Sequence, residues 1–105
     1  MPRATLQPTA RRDIKRHFVY LAEHAGLPVA ERFLTALDLT FADLARMPEI
    51  GEACHLTHPR LHDLRRWQVT GFANWLVLYF PRRHGVSVAR VVHGSQSLAA
   101  IFGLP

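Results

Sequence analysis

Apolar residues along the chain change period, and the changes divide it into a helical half and a strand half. Residues 3–7, RATLQ, alternate weakly and end at Pro8. That predicts a short strand at a sheet edge or strand end, because proline cannot donate to a ladder. The period then becomes helical. Ala10, Ile14, Phe18, Leu21, Ala22 and Ala25 share one face at spacings of three and four, with Arg11, Arg12, Lys15, Arg16 and Glu23 on the remainder. Thr9 can cap this helix by accepting an early backbone N–H, and Gly26 can end it in a left-handed conformation. Pro28 suits the first turn of a second helix. Its stripe is Ala30, Phe33, Leu34, Leu37, Phe41 and Leu44; Pro48 stops it and Gly51 follows. Two amphipathic helices with a tight connection predict an antiparallel hairpin that lays one apolar face on something flat.

The flat object lies in the second half. Residues 49–63 show no period. Leu64 to Val69 is extended, with Trp67 and Val69 on one face and Arg66 and Gln68 on the other. Thr70 to Asn74 contains Gly71 and makes a turn. Trp75 to Phe80 is an unbroken run of apolar strand formers, too short to span a membrane, and reads as a central strand covered on both faces. Pro81 to Gly85 is a turn cluster, and valine-rich Val86 to His93 is the antiparallel neighbour. After Gly94, Ser95 or Ser97 can cap a short last helix carrying Leu98, Ile101 and Phe102. The expected order is β-α-α-β-β-β(-α). It makes an α+β fold with an antiparallel sheet and an N-terminal helical hairpin on one face, in a single domain over residues 1–105.

Composition narrows the partners. With 49% apolar and 20% charged residues the chain has a globular composition and not a disordered one. The net charge is +5, and twelve of the thirteen basic residues are arginines, whose planar fork suits carboxylates and phosphates. The expected partners are therefore acidic, a nucleic acid or an acidic protein segment; the alternative is that the charge serves solubility alone. Cys54 is the only cysteine, so no intrachain disulfide can form, which fits a reducing cytosol. The N-terminus has no signal-peptide core and no segment reaches the length of a membrane helix, so a cytoplasmic location is expected.

Three constellations carry candidate chemistry. Cys54, His55, His58 and His62 are potential metal ligands, but donors crowded into one loop make a poor tetrahedron. Ordinary surface histidines are the better reading, and neither a metal nor another cofactor is expected. The second constellation is the arginines: Arg60, Arg65 and Arg66 near one strand, Arg82 and Arg83 in a hairpin loop, and Arg90 inside a valine-rich strand. Arg66 and Arg90 can share the sheet face that the hairpin leaves uncovered, forming a basic platform for a phosphate backbone or an acidic peptide. Alternatively Arg90 pairs with a local acid such as Asp63, and the loop arginines are simply solvated. The third is His93, which suits a general acid or base near neutrality, although a histidine that closes a strand is more often a satisfied structural residue. No nucleophile motif, glycine-rich phosphate loop or paired carboxylate is visible. Tyr79 and Tyr20 lie in apolar patterns and read as core.

Taken in order, the helix hairpin, Pro48-x-x-Gly51, Pro59-Arg60-Leu61-x-x-Leu64-Arg65-x-Trp67-x-Val69-x-Gly71-Phe72, Leu76-Val77-x-Tyr79 and Arg90-Val91-Val92-His93-Gly94 resemble the ParE branch of the RelE/ParE toxins. The resemblance covers nearly the whole chain. It implies the toxin of a type II toxin–antitoxin, or plasmid-stabilisation, system, neutralised by a cognate antitoxin with an acidic C-terminal segment. ParE-type members inhibit DNA gyrase by binding, without bond chemistry of their own, and Arg65, Arg66, Arg90 and His93 are the expected contacts to target or antitoxin. RelE-type members instead cut mRNA on the ribosome, using lysine, arginine and a tyrosine near the C-terminus. Here Lys15 is the only lysine and no tyrosine follows Tyr79, so a nuclease would have to rely on His93, Arg90 and Arg65. A non-toxic interaction module is the third alternative. One departure stands out. The family's Ala-Arg-Asp after His-Gly is Ser95-Gln96-Ser97 here; Ser97 can replace the aspartate as a cap, but Gln96 cannot carry an arginine's charge.

Overall fold

The computed structural model describes residues 2–104. The elements run β1 (Arg3–Leu6), α1 (Pro8–Ala25), α2 (Leu27–Arg46), β2 (Glu52–Ala53), β3 (Arg65–Val69), β4 (Phe72–Arg82), β5 (Gly85–His93) and α3 (Leu98–Ile101). The strands form one five-stranded sheet in the order β1-β5-β4-β3-β2. From β2 to β5 every pairing is antiparallel, as expected, while β1 adds to β5 in parallel, so the sheet is mixed. The parallel pairing depends on Gly85. Its φ is +135°, and a Cβ there would collide with the backbone of Arg3, its register partner.

Local chemistry moves several boundaries. Pro8 is the first residue of α1 and not the end of β1; its missing N–H is one the first helical turn leaves unpaired anyway. Gln7 therefore takes the capping position, and Thr9 inside the helix accepts from Arg12 Nη2 at 3.4 Å. β4 continues through Pro81 to Arg82, leaving only Arg83 and His84 in the turn. The proline is tolerated because β3 has ended opposite Tyr79, so β4 has one neighbour there. Of the two candidate serines, Ser97 caps α3, its Oγ accepting from Ala100 N–H at 3.4 Å.

Trp75 to Phe80 does lie in the central strand, and both its faces are covered. Val77 and Tyr79 point to the helical hairpin, where they pack with Phe33, Leu37, Phe41, Leu44 and Val91. Leu78 and Phe80 point the other way. The expectation of an uncovered sheet face is overturned: Leu61, Leu64, Ala89 and Val92 join Leu78 and Phe80 in a second core, flanked by Leu98, Ile101 and Phe102. The physical reason is the apolar character of both faces of β4 and β5, which would otherwise meet water. The irregular segment 54–64 and α3 supply the cover. No helix among the described residues is long and apolar enough to cross a membrane.

Candidate contact site at the β5 edge

β1 ends at Leu6 opposite Val88, so the second half of β5 would present unpaired backbone groups. α1 supplies the missing partners. Asp13 Oδ2 accepts from Val91 N–H at 3.0 Å, and His17 Nε2 donates to Val91 O at 2.6 Å. A carbonyl only accepts, so Nε2 carries the proton. Asp13 and His17 are one helical turn apart, and together they do for Val91 what a neighbouring strand would. Arg90 adds to the same carboxylate. A β-bulge sets Leu78 against Arg90 but Tyr79 against Val88, leaving Ala89 as the extra residue. Arg90 donates through Nε to Asp13 Oδ2 at 2.7 Å and through Nη2 to Oδ1 at 3.0 Å, while its Nη1 reaches Ile101 O at 3.1 Å. Arg16 Nη2 also donates to Oδ1, at 3.0 Å.

Asp13 is thus a buried carboxylate with four donors. Burial pushes its pKa up, but the hydrogen bonds from Arg90 and Val91, Arg90's charge and the Arg16 bond together outweigh that and hold it below 3.8. His17 goes down for the opposite reason. Burial disfavours its charged form and carries its pKa below 6.5, against the raising effect of the bond to Val91. The ring sits among aromatics, 4.5 Å from Trp75 and 6.5 Å from Phe33, centroid to centroid.

The four sequence-predicted contacts do not converge. Arg90 is engaged by Asp13, 77 positions away, whereas Asp63 takes Arg82 at 3.1 Å. Arg65 shares a row with Tyr79 on the hairpin face, and Arg66 shares one with Leu78 and Arg90 on the other. Arg65 Nη1 donates to Gly51 O at 2.6 Å and to Glu49 O at 3.2 Å, tying down the segment after α2. Gly51 N–H donates to the buried Tyr79 hydroxyl at 2.9 Å. A Cβ at Gly51 would lie 2.5 Å from that oxygen and 2.8 Å from Arg66 O, which explains the glycine. Arg66 pairs with Glu52 at 3.0 Å in an exposed contact, worth roughly 0–1 kcal/mol, so its cation remains available to a partner.

His93 occupies a different place. Its Nδ1 accepts from Ser95 N–H at 3.2 Å and lies 2.8 Å from Ser95 Oγ; its ring meets Trp75 edge-on at 5.2 Å. It opens onto a cleft of about 350 Å³ lined also by Arg16, His17, Tyr20, Trp75 and Gln96. The Asp13–His17 clasp and the Arg65–Gly51–Tyr79 lock are absent from the sequence-based expectations. The available signal for the clasp was spacing: Ala10, Asp13, His17 and Leu21, all buried, continue one helical row. Among the described residues, no group of three His, Cys, Asp or Glu is arranged to hold a metal. Burial pushes the Cys54 thiol above 9.0, away from a reactive thiolate.

The architecture is that of a small basic α+β protein: a helical hairpin on one face of a mixed sheet, with a histidine-bearing cleft at the end of the last two strands. The family model for the ParE toxin of the type II toxin–antitoxin system, parDE, matches residues 5–98, and the chain belongs to that family. Among solved structures, a chain described as the chromosomal ParDE TA system from P. aeruginosa is similar, with a TM-score of 0.70. It is 11% identical, and the match covers 89% of this chain and 96% of that one; the likeness is one of fold. A comparison with curated protein sequences found no match.

Proposed function

We propose that this ParE-family toxin acts in the cytoplasm by binding and inhibiting DNA gyrase, and that a cognate antitoxin with an acidic C-terminal segment neutralises it. The family match over residues 5–98 carries the reading. Two features of the molecule support binding over bond cleavage. Acid–base cleavage of RNA needs a base and an acid flanking a held phosphate. His93 is the sole titratable proton carrier of the expected set, and Arg90, the expected phosphate ligand, is already bound to a buried carboxylate. Arg66 and His93 are the proposed contacts, while Arg65 and Arg90 act by holding the sheet and its flanking segments in place. The cleft beside His93 has Gln96 where the family pattern has arginine, yet Arg16 lines the same cleft and supplies a cation there.

Expression of the chain alone tests this in cells. Growth is expected to arrest with incorporation of thymidine falling before that of methionine, and co-expression of the antitoxin from the adjacent reading frame is expected to restore both. Methionine incorporation falling first would favour the ribosome-dependent mRNA nuclease. Unimpaired growth would favour a non-toxic interaction module.

A further inference from the structure

Tyr20 is an aromatic residue that the core does not use. It is 53% exposed, and its ring stacks on His24 at 4.3 Å, centroid to centroid, which holds it on the surface of α1. It lines the cleft of about 350 Å³ together with Arg16, His17, Trp75, His93 and Gln96. All six side chains end in a planar π group: a guanidinium, two imidazoles, a phenol, an indole and an amide. None is aliphatic and none is acidic. Trp75 is braced on two sides, by His17 at 4.5 Å and by His93 edge-on at 5.2 Å. The local charge is positive. Asp13 is one carboxylate shared between Arg90 and Arg16, so the three together keep one positive charge. Arg16 is the member that lines the cleft, with its side chain 62% exposed.

We infer that this cleft receives one unstacked nucleotide of a single-stranded nucleic acid, its base stacked on the aromatic lining and its phosphate on Arg16. The inference rests on the reading of the His93 cleft as a contact surface of the toxin, and it names the ligand. Aromatic rings and guanidinium planes are what hold unpaired bases on proteins, and a cation beside them takes the backbone charge. The polar tips fit a base edge. His93 Nδ1 accepts from Ser95 N–H, so the neutral ring carries its proton on Nε2, where it can donate. Tyr20 and Gln96 are exposed, and they offer a hydroxyl and an amide. An aliphatic anchor of an acidic peptide would find no aliphatic wall here and would leave those polar tips without partners. Val19, the other large exposed apolar residue of α1, is not part of the lining. A base within a duplex is already stacked and paired, so it would have to leave the helix to enter.

The test uses the purified full chain carrying Trp67→Phe, which leaves Trp75 as the only tryptophan, and an oligodeoxyadenylate of about ten nucleotides. Trp75 emission is expected to be quenched as the strand binds at low salt. Tyr20→Ala is expected to weaken binding about five- to 150-fold, the usual worth of one stacked base, while Tyr20→Phe keeps most of the affinity. Arg16→Gln is expected to weaken binding and to lower the slope of log K against log salt by about 0.7, one phosphate's share for a single strand. Asp13 keeps Arg90 and Val91 as donors in that variant, so the fold stands. Val19→Ala, off the cleft, should bind as the parent does. DNA and RNA single strands are two sources of the same ligand, and the oligoriboadenylate of equal length, run alongside, shows which binds more tightly. No quenching at low salt, undiminished binding by the Tyr20→Ala variant, tighter binding to a duplex, or displacement of the strand by polyglutamate of equal charge would each overturn the proposal. Gyrase supercoiling is scored separately with the same preparation. A strand bound at Trp75 with gyrase unaffected would sink the proposed function and not the nucleotide site; gyrase inhibited by a chain that binds no strand would do the reverse.

Discussion

Asp13 takes four donors from three separate residues and is almost wholly buried, so its charge cannot be removed cheaply. Asp13→Asn keeps the shape but leaves the Arg90 guanidinium, itself only 20% exposed, without a counter-charge. The expected loss is about 3–5 kcal/mol, read as a drop in the urea midpoint; a loss below about 1 kcal/mol would show the pair to be dispensable. Gly51→Ala is the second test at this scale. Its methyl would crowd the Tyr79 hydroxyl and the Arg66 carbonyl, with an expected cost of about 1–3 kcal/mol by the same measurement. That a charge within a valine-rich strand needs a partner was legible in Arg90 itself. The partner was not. Asp13 lies 77 positions away, and a single chain carries no signal for pairing at that distance.

At the scale of elements, α1 closes the edge of β5 through Asp13 and His17. His17 binds Val91 as a neutral ring with a depressed pKa, so below about 6.5 the unfolded chain takes up a proton that the folded one resists. Stability is therefore complete above 6.5 and falls as the pH drops below it, by at most about 1.4 kcal/mol per pH unit for one proton. Asp13, also depressed, gives a second loss in the same direction below 3.8. His17→Gln, which retains a donor for Val91, should flatten the urea midpoint between pH 7 and pH 5. A profile as steep as the parent's would mean another group titrates. The helices and β3 to β5 were readable because their periods are long and their faces distinct. β2 has two residues and no period to detect. The cover over the second core was invisible for the same reason: residues such as Leu61 and Leu64 pack from an irregular segment, where burial leaves no repeat in the sequence.

For the whole molecule, the +5 charge and the arginine bias point to acidic partners, but they could not distribute that charge. The fold does so by using Arg65 and Arg90 internally and leaving Arg66 and the α1 cations to solvent. The most direct measurement is supercoiling of relaxed plasmid by purified gyrase titrated with the purified chain. The account predicts that supercoiling falls as the chain is added and returns when antitoxin is supplied in molar excess. Full supercoiling at every concentration, with mRNA cut on translating ribosomes by the same preparation, would contradict it.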